Sequence, residues 1–231
     1  MPSASEPATF VLIHGGASSS WDWHLVDPVL RELGHDVIAV DLPFEDAGNG
    51  IGELADAVVA ASAGRPRPVV VAHSFGGLVA PVVCSRMDAE LLVLLAAMIP
   101  KPAETANEWW GATRYHELGI SFSTREDELE VFYNGVPAPL VEASYEHERE
   151  HNGGWDTPSP LAAWPSVPTR YLLCREDHCF PPEFTRAHVA ERLGIVPDEI
   201  DGGHMVALSH PRALAERLHR FWTEQQAANT K

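Results

Sequence analysis

A run of β-branched residues that stops at a serine constrains the fold more than any other stretch of this chain. Residues 69–77 read VVVAHSFGG, which predicts a strand, a tight turn at Ser74 and then a helix. Gly76 leaves room behind the serine, so that its hydroxyl can stand above the end of the strand. The pattern is that of a nucleophile elbow, G-x-S-x-G, with the small residue Ala72 in place of the first glycine. By itself this pattern also fits an ordinary strand-to-helix turn, so the assignment as a nucleophile elbow depends on motifs elsewhere in the chain.

On both sides of this turn, apolar runs typical of buried strands alternate with helical patterns. Strands are predicted at residues 9–13, 36–40, 69–73, 91–97, 169–173 and 196–200. Helices are predicted at residues 21–33, 51–59 and 75–86, from Pro181-Pro182 and from Pro211, with Asp22 in the first turn of the first helix. This alternation predicts a parallel sheet covered on both faces, with ligands at the C-terminal ends of the strands.

The length of 231 residues fits one sizeable α/β domain with an insertion, and the composition excludes several classes of partner. No apolar run approaches the roughly 20 residues that a membrane helix needs. A net charge of −17 opposes binding to nucleic acid and to anionic membranes, because both require a basic surface. Small molecules are therefore the expected partners, and both a monomer and a homodimer fit the composition.

Two features bear on the cellular compartment. Residues 1–7 have neither a basic start nor an apolar segment, so they are predicted to be a disordered lead rather than a secretory signal. The three cysteines, Cys84, Cys174 and Cys179, are an odd number, and the first falls within a predicted helix. We therefore expect reduced thiols without a disulfide framework, in a cytoplasmic protein.

Ser74 needs two companions to act as a nucleophile, because a hydroxyl group is weakly nucleophilic near neutral pH. A base must take its proton, and a carboxylate must orient that base. Asp177 follows the next-to-last strand and His204 lies in a glycine-rich loop after the last one, so both should reach the same edge of the sheet. The N–H groups of Gly16 and Phe75 are placed to bind a developing oxyanion. Together these are the parts of an acyl-transfer site.

Four motifs occur in a characteristic order, namely HGG after the first strand, AHSFGG at the elbow, REDHC around Asp177 and GGHM around His204. On these motifs the chain resembles the α/β-hydrolase superfamily over nearly its whole length. More narrowly, the segments FVLIHGG, WDW, LGHDV and DL resemble the branch that contains methyl-ester hydrolases and hydroxynitrile lyases. The resemblance implies an α/β-hydrolase fold with core segments 1–100 and 169–231 and a lid at 101–168.

The same resemblance separates hydrolysis from cyanohydrin cleavage. In that branch, lyases tend to carry threonine where this chain has Gly15, and lysine just after the catalytic histidine, where this chain has Met205. Without a lysine to stabilise a departing cyanide, attack of water on an acyl-enzyme is favoured. We therefore predict a serine carboxylesterase that needs no cofactor or metal and cleaves small, largely apolar esters. A lactonase, a hydroxynitrile or other C–C lyase and a non-catalytic small-molecule receptor remain open alternatives.

Other polar residues near the site receive structural interpretations. Asp201 is a rival for the orienting carboxylate, but the family's pattern favours Asp177. Three consecutive potential ligands, Asp177-His178-Cys179, rarely chelate one ion, so no metal site is expected. The remaining histidines are expected to pack beside the nucleophile (His73), to shape a loop (His14), or to lie at the surface or cap elements (His178, His188 and His210).

The predicted insertion, residues 101–168, is rich in aromatic and acidic side chains. It contains four of the seven tryptophans, and twelve acidic side chains against four basic ones. Most of its aromatic residues are expected to form a small core of their own, with one or two lining the pocket. The acidic excess disfavours coenzyme A and carrier-protein thioesters, which carry phosphates, and so favours neutral esters with an apolar part.

Overall fold

The computed structural model describes residues 7–230, and its centre is a sheet of six parallel strands. Nearly all of the predicted lead therefore lies outside the described residues. The strands are β1 (Thr9–Ile13), β2 (Asp36–Val40), β3 (Val69–His73), β4 (Leu91–Leu95), β5 (Thr169–Cys174) and β6 (Asp198–Ile200). They lie in the order β2-β1-β3-β4-β5-β6, which puts the strand that precedes Ser74 in the middle of the sheet.

Helices cover both faces of this sheet. They are α1 (Asp27–Glu32), α2 (Ile51–Ala61), α3 (Gly76–Arg86), α4 (Ala106–Ala112), α5 (Arg125–Val131), α6 (Ala138–Glu146), α7 (Pro182–Leu193), α8 (Val206–Ser209) and α9 (Pro211–Asn229), with 3₁₀ helices at Ser20–Trp23 and Tyr115–Leu118. The predicted architecture, a parallel sheet with helices on both faces, is confirmed.

Two apolar cores, one on each face, follow from the alternation of side chains along a strand. In β3, Val70 and Ala72 face the core formed with α2, α3 and α7, whereas Val69 and Val71 face the core formed with α1 and α9. Both faces of the strand are buried, which explains its continuous apolar run. The elbow is thus attached to a strand that the protein packs from both sides.

Two predicted elements differ from the structure. The helix predicted at 21–33 is two elements, a 3₁₀ helix and α1, because Pro28 has no N–H to donate to a continuing helix and lies in the first turn of α1 instead. The strand predicted from Val196 begins at Asp198, after Pro197, and Val196 is 90% exposed. In both places proline removes a backbone donor that the predicted element would use.

The insertion follows β4 and precedes β5, and it does not form a core of its own. Its buried side chains Trp109, Tyr115, Val131 and Leu161 belong to the same apolar core as β3 and α3. The expectation of a separate core in the insertion is therefore wrong. A segment of this size gains more buried apolar area by packing on the sheet's own core than by packing on itself.

The described part of the chain also bears on the thiols and on membranes. Cys84, Cys174 and Cys179 are buried free cysteines. None of the helices in residues 7–230 is long and apolar enough to cross a bilayer.

Candidate active site

The turn at Ser74 holds the serine in a left-handed backbone conformation, with φ at 51°. Its carbonyl oxygen accepts hydrogen bonds from the N–H groups of Gly77 and Met98, both at 3.0 Å. A side chain at Gly76 would put its Cβ 2.7 Å from the carbonyl oxygen of His14, so this position requires glycine. Close backbone packing thus maintains a strained turn at the C-terminal end of β3, as at many functional sites.

Three predicted residues meet at this turn. The Oγ of Ser74 lies 3.0 Å from Nε2 of His204, and Nδ1 of His204 lies 2.9 Å from Oδ2 of Asp177. The other oxygen of Asp177, Oδ1, accepts from the backbone N–H groups of Cys179 and Phe180, both at 2.8 Å. Asp177 and His204 are each only 2% exposed. A buried carboxylate at Nδ1 keeps the proton on that nitrogen and leaves Nε2 free to accept one from the serine.

The rival carboxylate lies elsewhere. Asp201 is exposed and pairs with the guanidinium of Arg175, so it joins the loop after β6 to the loop after β5. His178 is exposed and contacts the carbonyl oxygen of Glu130. His188, predicted at the surface, is instead buried between Trp109 and Phe184 on α7, because its ring fills the apolar core there. Within residues 7–230, no three His, Cys, Asp or Glu side chains converge as metal ligands.

Two histidines beside the site stay neutral and fix the surrounding loops. Burial lowers the pKa of His73 well below its usual value, with the neighbouring His204 acting in the same direction, and His73 Nε2 donates to the carbonyl oxygen of His204 at 3.0 Å. Burial lowers the pKa of His14 to about 4; its Nδ1 donates to the carbonyl oxygen of Gly15, and its Nε2 accepts from Leu42. Neither ring carries a charge that would oppose a positive His204.

Gly16 and Phe75 are neighbours that line the same cavity as Ser74, since a Cβ at Gly16 would lie 3.6 Å from Cβ of Phe75. Among the described residues, neither N–H has a hydrogen-bond acceptor. The next residue, Ala17, has a left-handed φ of 53°. Its N–H donates to Nδ1 of His151 at 3.2 Å, and its carbonyl oxygen accepts from the N–H of Arg149 at 3.3 Å. The insertion therefore holds the loop that presents Gly16.

The cavity beside Ser74 has a volume of about 320 Å³ and mostly apolar walls, which suits a small organic molecule. Five aromatic side chains of the insertion line it, rather than the one or two expected: Trp110, Phe122, Phe132, Tyr133 and Trp155. The ring of Phe132 lies 5.5 Å from that of His204. The predicted insertion therefore forms a large part of the cavity wall.

Three residues at this site were not predicted from the sequence. Arg149 and His151 hold the Gly16 loop, and Asp22, predicted only to lie in the first turn of a helix, is buried and lines the cavity. In the sequence Asp22 lies between two tryptophans, which is unusual for a solvated carboxylate, and this was the available signal of its burial. No local signal pointed to Arg149 or His151, since their contacts join segments more than 130 residues apart.

Comparisons with known proteins identify the family of this chain. A model of the Alpha/beta hydrolase family matches residues 10–217. Esterase PIR7B from Oryza sativa subsp. japonica is 33% identical over 262 residues, covering 94% of this chain and 96% of that protein. An Alpha-hydroxynitrile lyase from Arabidopsis thaliana is 24% identical, covering 93% of this chain and 97% of that one. The crystal structure of polyneuridine aldehyde esterase has the same fold, with a TM-score of 0.79 and 22% identity over 93% of this chain and 99% of that chain. These matches confirm the resemblance predicted from the motifs.

Proposed function

Since the chain belongs to the alpha/beta hydrolase family, we propose that it is a serine esterase that cleaves small, largely apolar carboxylic esters through an acyl-enzyme. The observation that supports the proposal is the chain of hydrogen bonds that joins Asp177 to His204 and His204 to Ser74. Ser74 lines an aromatic cavity. A hydroxyl, an imidazole and a buried carboxylate in hydrogen-bond contact are the groups that nucleophilic acyl transfer requires. The esterases among the relatives agree with this reaction.

In the first half-reaction, Ser74 Oγ attacks the ester carbonyl while His204 Nε2 takes the hydroxyl proton. The carbonyl oxygen becomes an oxyanion, which the N–H groups of Gly16 and Phe75 bind. The C–O bond to the alcohol then breaks, His204 donates its proton to the departing oxygen, and an acyl-Ser74 ester remains. Asp177 stabilises the positive His204 that exists between these two proton transfers.

In the second half-reaction, water takes the place of the alcohol. His204 takes a proton from the water as its oxygen attacks the acyl carbon, and the same two N–H groups bind the second oxyanion. The bond to Ser74 Oγ breaks, His204 returns its proton to that oxygen, and the carboxylic acid leaves. The enzyme is thereby regenerated without a cofactor.

The walls of the cavity support an apolar substrate class and favour hydrolysis over cyanohydrin cleavage. Aromatic rings from the insertion face the serine, so we propose that residues 101–168 act as a lid that binds an apolar acyl or alcohol group. Met205 also lines the cavity and has no cationic group for a departing cyanide. A side chain at Gly15 would put its Cβ 3.1 Å from Ser74 Cβ, which leaves little room for a threonine. Both positions favour the esterase.

The test is hydrolysis of p-nitrophenyl esters from acetate to decanoate by the wild type and by Ser74→Ala. The expected loss in kcat is at least about 10⁴-fold, because the attacking oxygen is gone. A fluorophosphonate reagent should add one group to the wild type, detected by intact mass, and none to the variant. The acyl chain length with the highest kcat/KM measures the apolar end of the cavity.

Ser85→Ala is the matched control, because Ser85 lies on the same helix, α3, with its hydroxyl bonded to the carbonyl oxygen of Val82 and away from the cavity. It should keep the wild-type rate. Equal, slow turnover by wild type and Ser74→Ala, with native circular dichroism, would refute the esterase. Cyanide release from a cyanohydrin would then test the lyase, and equilibrium ligand binding the receptor.

A further inference from the structure

Asp22 is a buried carboxylate in the cavity wall that the proposed reaction does not use. It is 5% exposed, and its Oδ2 accepts a hydrogen bond from the hydroxyl of Ser18. Its Oδ1 has no hydrogen-bond partner among the residues that the structure describes. Burial raises the pKa of Asp22 to about 6, and nearby His204 acts in the opposite direction. A buried anion with one free oxygen and no paired cation lacks the compensation that buried charges usually have.

The lining of the cavity carries further negative charge and no positive side chain. Glu128 and Glu148 line it together with Asp22, and no lysine or arginine of residues 7–230 does. Burial and the negative charge of Glu128 raise the pKa of Glu148, so the two carboxylates are within electrostatic range of each other. Arg125 acts on Glu148 electrostatically, but its guanidinium stacks on the ring of Tyr145 at 4.0 Å and bonds to Glu142. The negative charge facing the cavity is therefore not neutralised by the chain.

The walls beside these carboxylates are aromatic. Tyr133 lies within electrostatic range of both Asp22 and Glu148, and Phe132 and Trp110 continue the wall towards the serine. An aromatic face attracts a cation through its quadrupole, most strongly where water is excluded. Carboxylates and aromatic rings around one cavity are the combination that binds quaternary ammonium and protonated amine groups.

We propose that the preferred substrates are esters that carry a cationic nitrogen, a protonated amine or a quaternary ammonium, and that Asp22 is the residue that selects them. This inference rests on the proposed esterase function, and it replaces the neutral esters expected from the sequence with cationic esters. Glu148 and Glu128, at the more exposed side of the cavity, attract the cation, and Asp22 pairs with it inside. The apolar part of the ester still contacts the aromatic rings.

The same carboxylate has a competing interpretation that must be separated by experiment. Asp22 is close enough to His204 to affect it electrostatically, so it could simply stabilise the positive imidazole during the reaction. In that case its loss would slow every ester equally. Selection of a cation would instead affect only the charged member of a matched pair of esters.

The experiment measures kcat/KM for two such pairs on the wild type and on Asp22→Asn. One pair is acetylcholine and the ester in which carbon replaces its nitrogen, so the charge lies on the alcohol side. The other is the methyl ester of trimethylammonio-butanoic acid and its carbon isostere, with the charge on the acyl side. For at least one pair, the wild type should prefer the cation about tenfold or more, and Asp22→Asn should lose most of that preference through the charged ester alone.

Two further variants complete the design. Glu148→Gln, at the exposed side of the cavity, should lower kcat/KM for the cation less than Asp22→Asn, because solvent already screens that charge. Glu130→Gln is the matched control, since Glu130 is an exposed carboxylate on the same helix as Glu128 and does not line the cavity. It should leave both members of each pair unchanged.

The outcomes separate this inference from the proposed function. If the wild type cleaves the neutral isosteres at least as well as the cationic esters in both pairs, cation selection is wrong and the esterase stands. An equal loss for both members of a pair in Asp22→Asn also overturns the inference, in favour of the effect on His204. If p-nitrophenyl esters and both pairs are all inert with the wild type, the esterase function itself fails.

Discussion

Two buried carboxylates near the serine differ in how fully their oxygens are hydrogen-bonded. Asp177, behind His204, has partners at both oxygens, two backbone N–H groups on Oδ1 and His204 on Oδ2. Asp22, which lines the cavity, has one hydroxyl on one oxygen and none on the other. Both side chains are almost entirely buried.

This difference shows how the same residue type can serve two purposes. A carboxylate with every lone pair engaged has one orientation, and it can keep the imidazole of His204 in one tautomer. A buried carboxylate without a counter-charge is costly for the free protein, and a ligand that supplies the charge recovers that cost on binding. The hydrogen bonds of Asp177 are complete in the free protein, and under the proposed cation selection the substrate would complete those of Asp22.

Asp177→Asn is expected to cause the largest loss of activity. Since Oδ1 must still accept from Cys179 and Phe180, the new amide NH₂ has to face Nδ1 of His204. Nδ1 would then have to accept, so the ring proton would move to Nε2, which could no longer take the proton of Ser74. We expect kcat to fall about 10⁴-fold with little change in KM, measured with p-nitrophenyl esters.

Asp201→Asn is the control for that variant, because Asp201 carries the other carboxylate near His204 in sequence but pairs with Arg175. Its kcat should stay within about threefold of wild type. A large loss in Asp201→Asn together with an active Asp177→Asn would reverse the assignment of the orienting carboxylate.

A smaller effect is expected from His151→Ala, which releases the loop that presents Gly16. Burial lowers the pKa of His151 to about 4, so Nδ1 can accept from Ala17 throughout the neutral range. Without this contact the Gly16 N–H is less well placed, and kcat should fall about tenfold to a hundredfold. His151→Gln, which retains an acceptor, should lose less, and the exposed His116→Ala should lose nothing. Unchanged kcat in His151→Ala would mean that the Gly16 loop keeps its position without this hydrogen bond.

The last prediction concerns stability and tests the contrast at Asp22. Its pKa is raised from 3.8 to about 6, so the contribution of the protonated form to stability is fully present below about 3.8 and is lost as the pH rises through about 6. The amide introduced by Asp22→Asn does not titrate, so the stability of this variant would not fall in this way as the pH rises. Its free energy of unfolding should exceed that of wild type at pH 8 by up to about 3 kcal/mol, and by about 1 kcal/mol less at pH 5.

Urea unfolding of both proteins between pH 5 and pH 8 measures this difference, with Glu130→Gln as the exposed control that should follow the wild type. A variant that is less stable than wild type at pH 8 would show that the bond from Ser18 outweighs the cost of the buried charge. A functional carboxylate held at the expense of stability would agree with its proposed role in binding.

The local pattern of residues was sufficient to predict the parts of the site that belong to the ends of strands. The elbow at Ser74 follows from a buried strand followed by small residues, and Asp177 and His204 follow from loops after later strands, because parallel strands direct their C-terminal ends to one edge. The chain order of these motifs and the alternation of strands and helices were equally visible. Each of these signals lies within a few neighbouring residues.

Only the tertiary structure decided what surrounds the serine. Asp22, predicted only as a first-turn residue, is buried in the cavity wall. Arg149 and His151 bond to Ala17, and the aromatic side chains of the insertion join the main core and the cavity wall. These outcomes depend on which distant segments pack together, and hydrophobic burial is non-directional, so no short pattern specifies them. The sequence by itself determined which groups could react, and the packing of the insertion decided what they face.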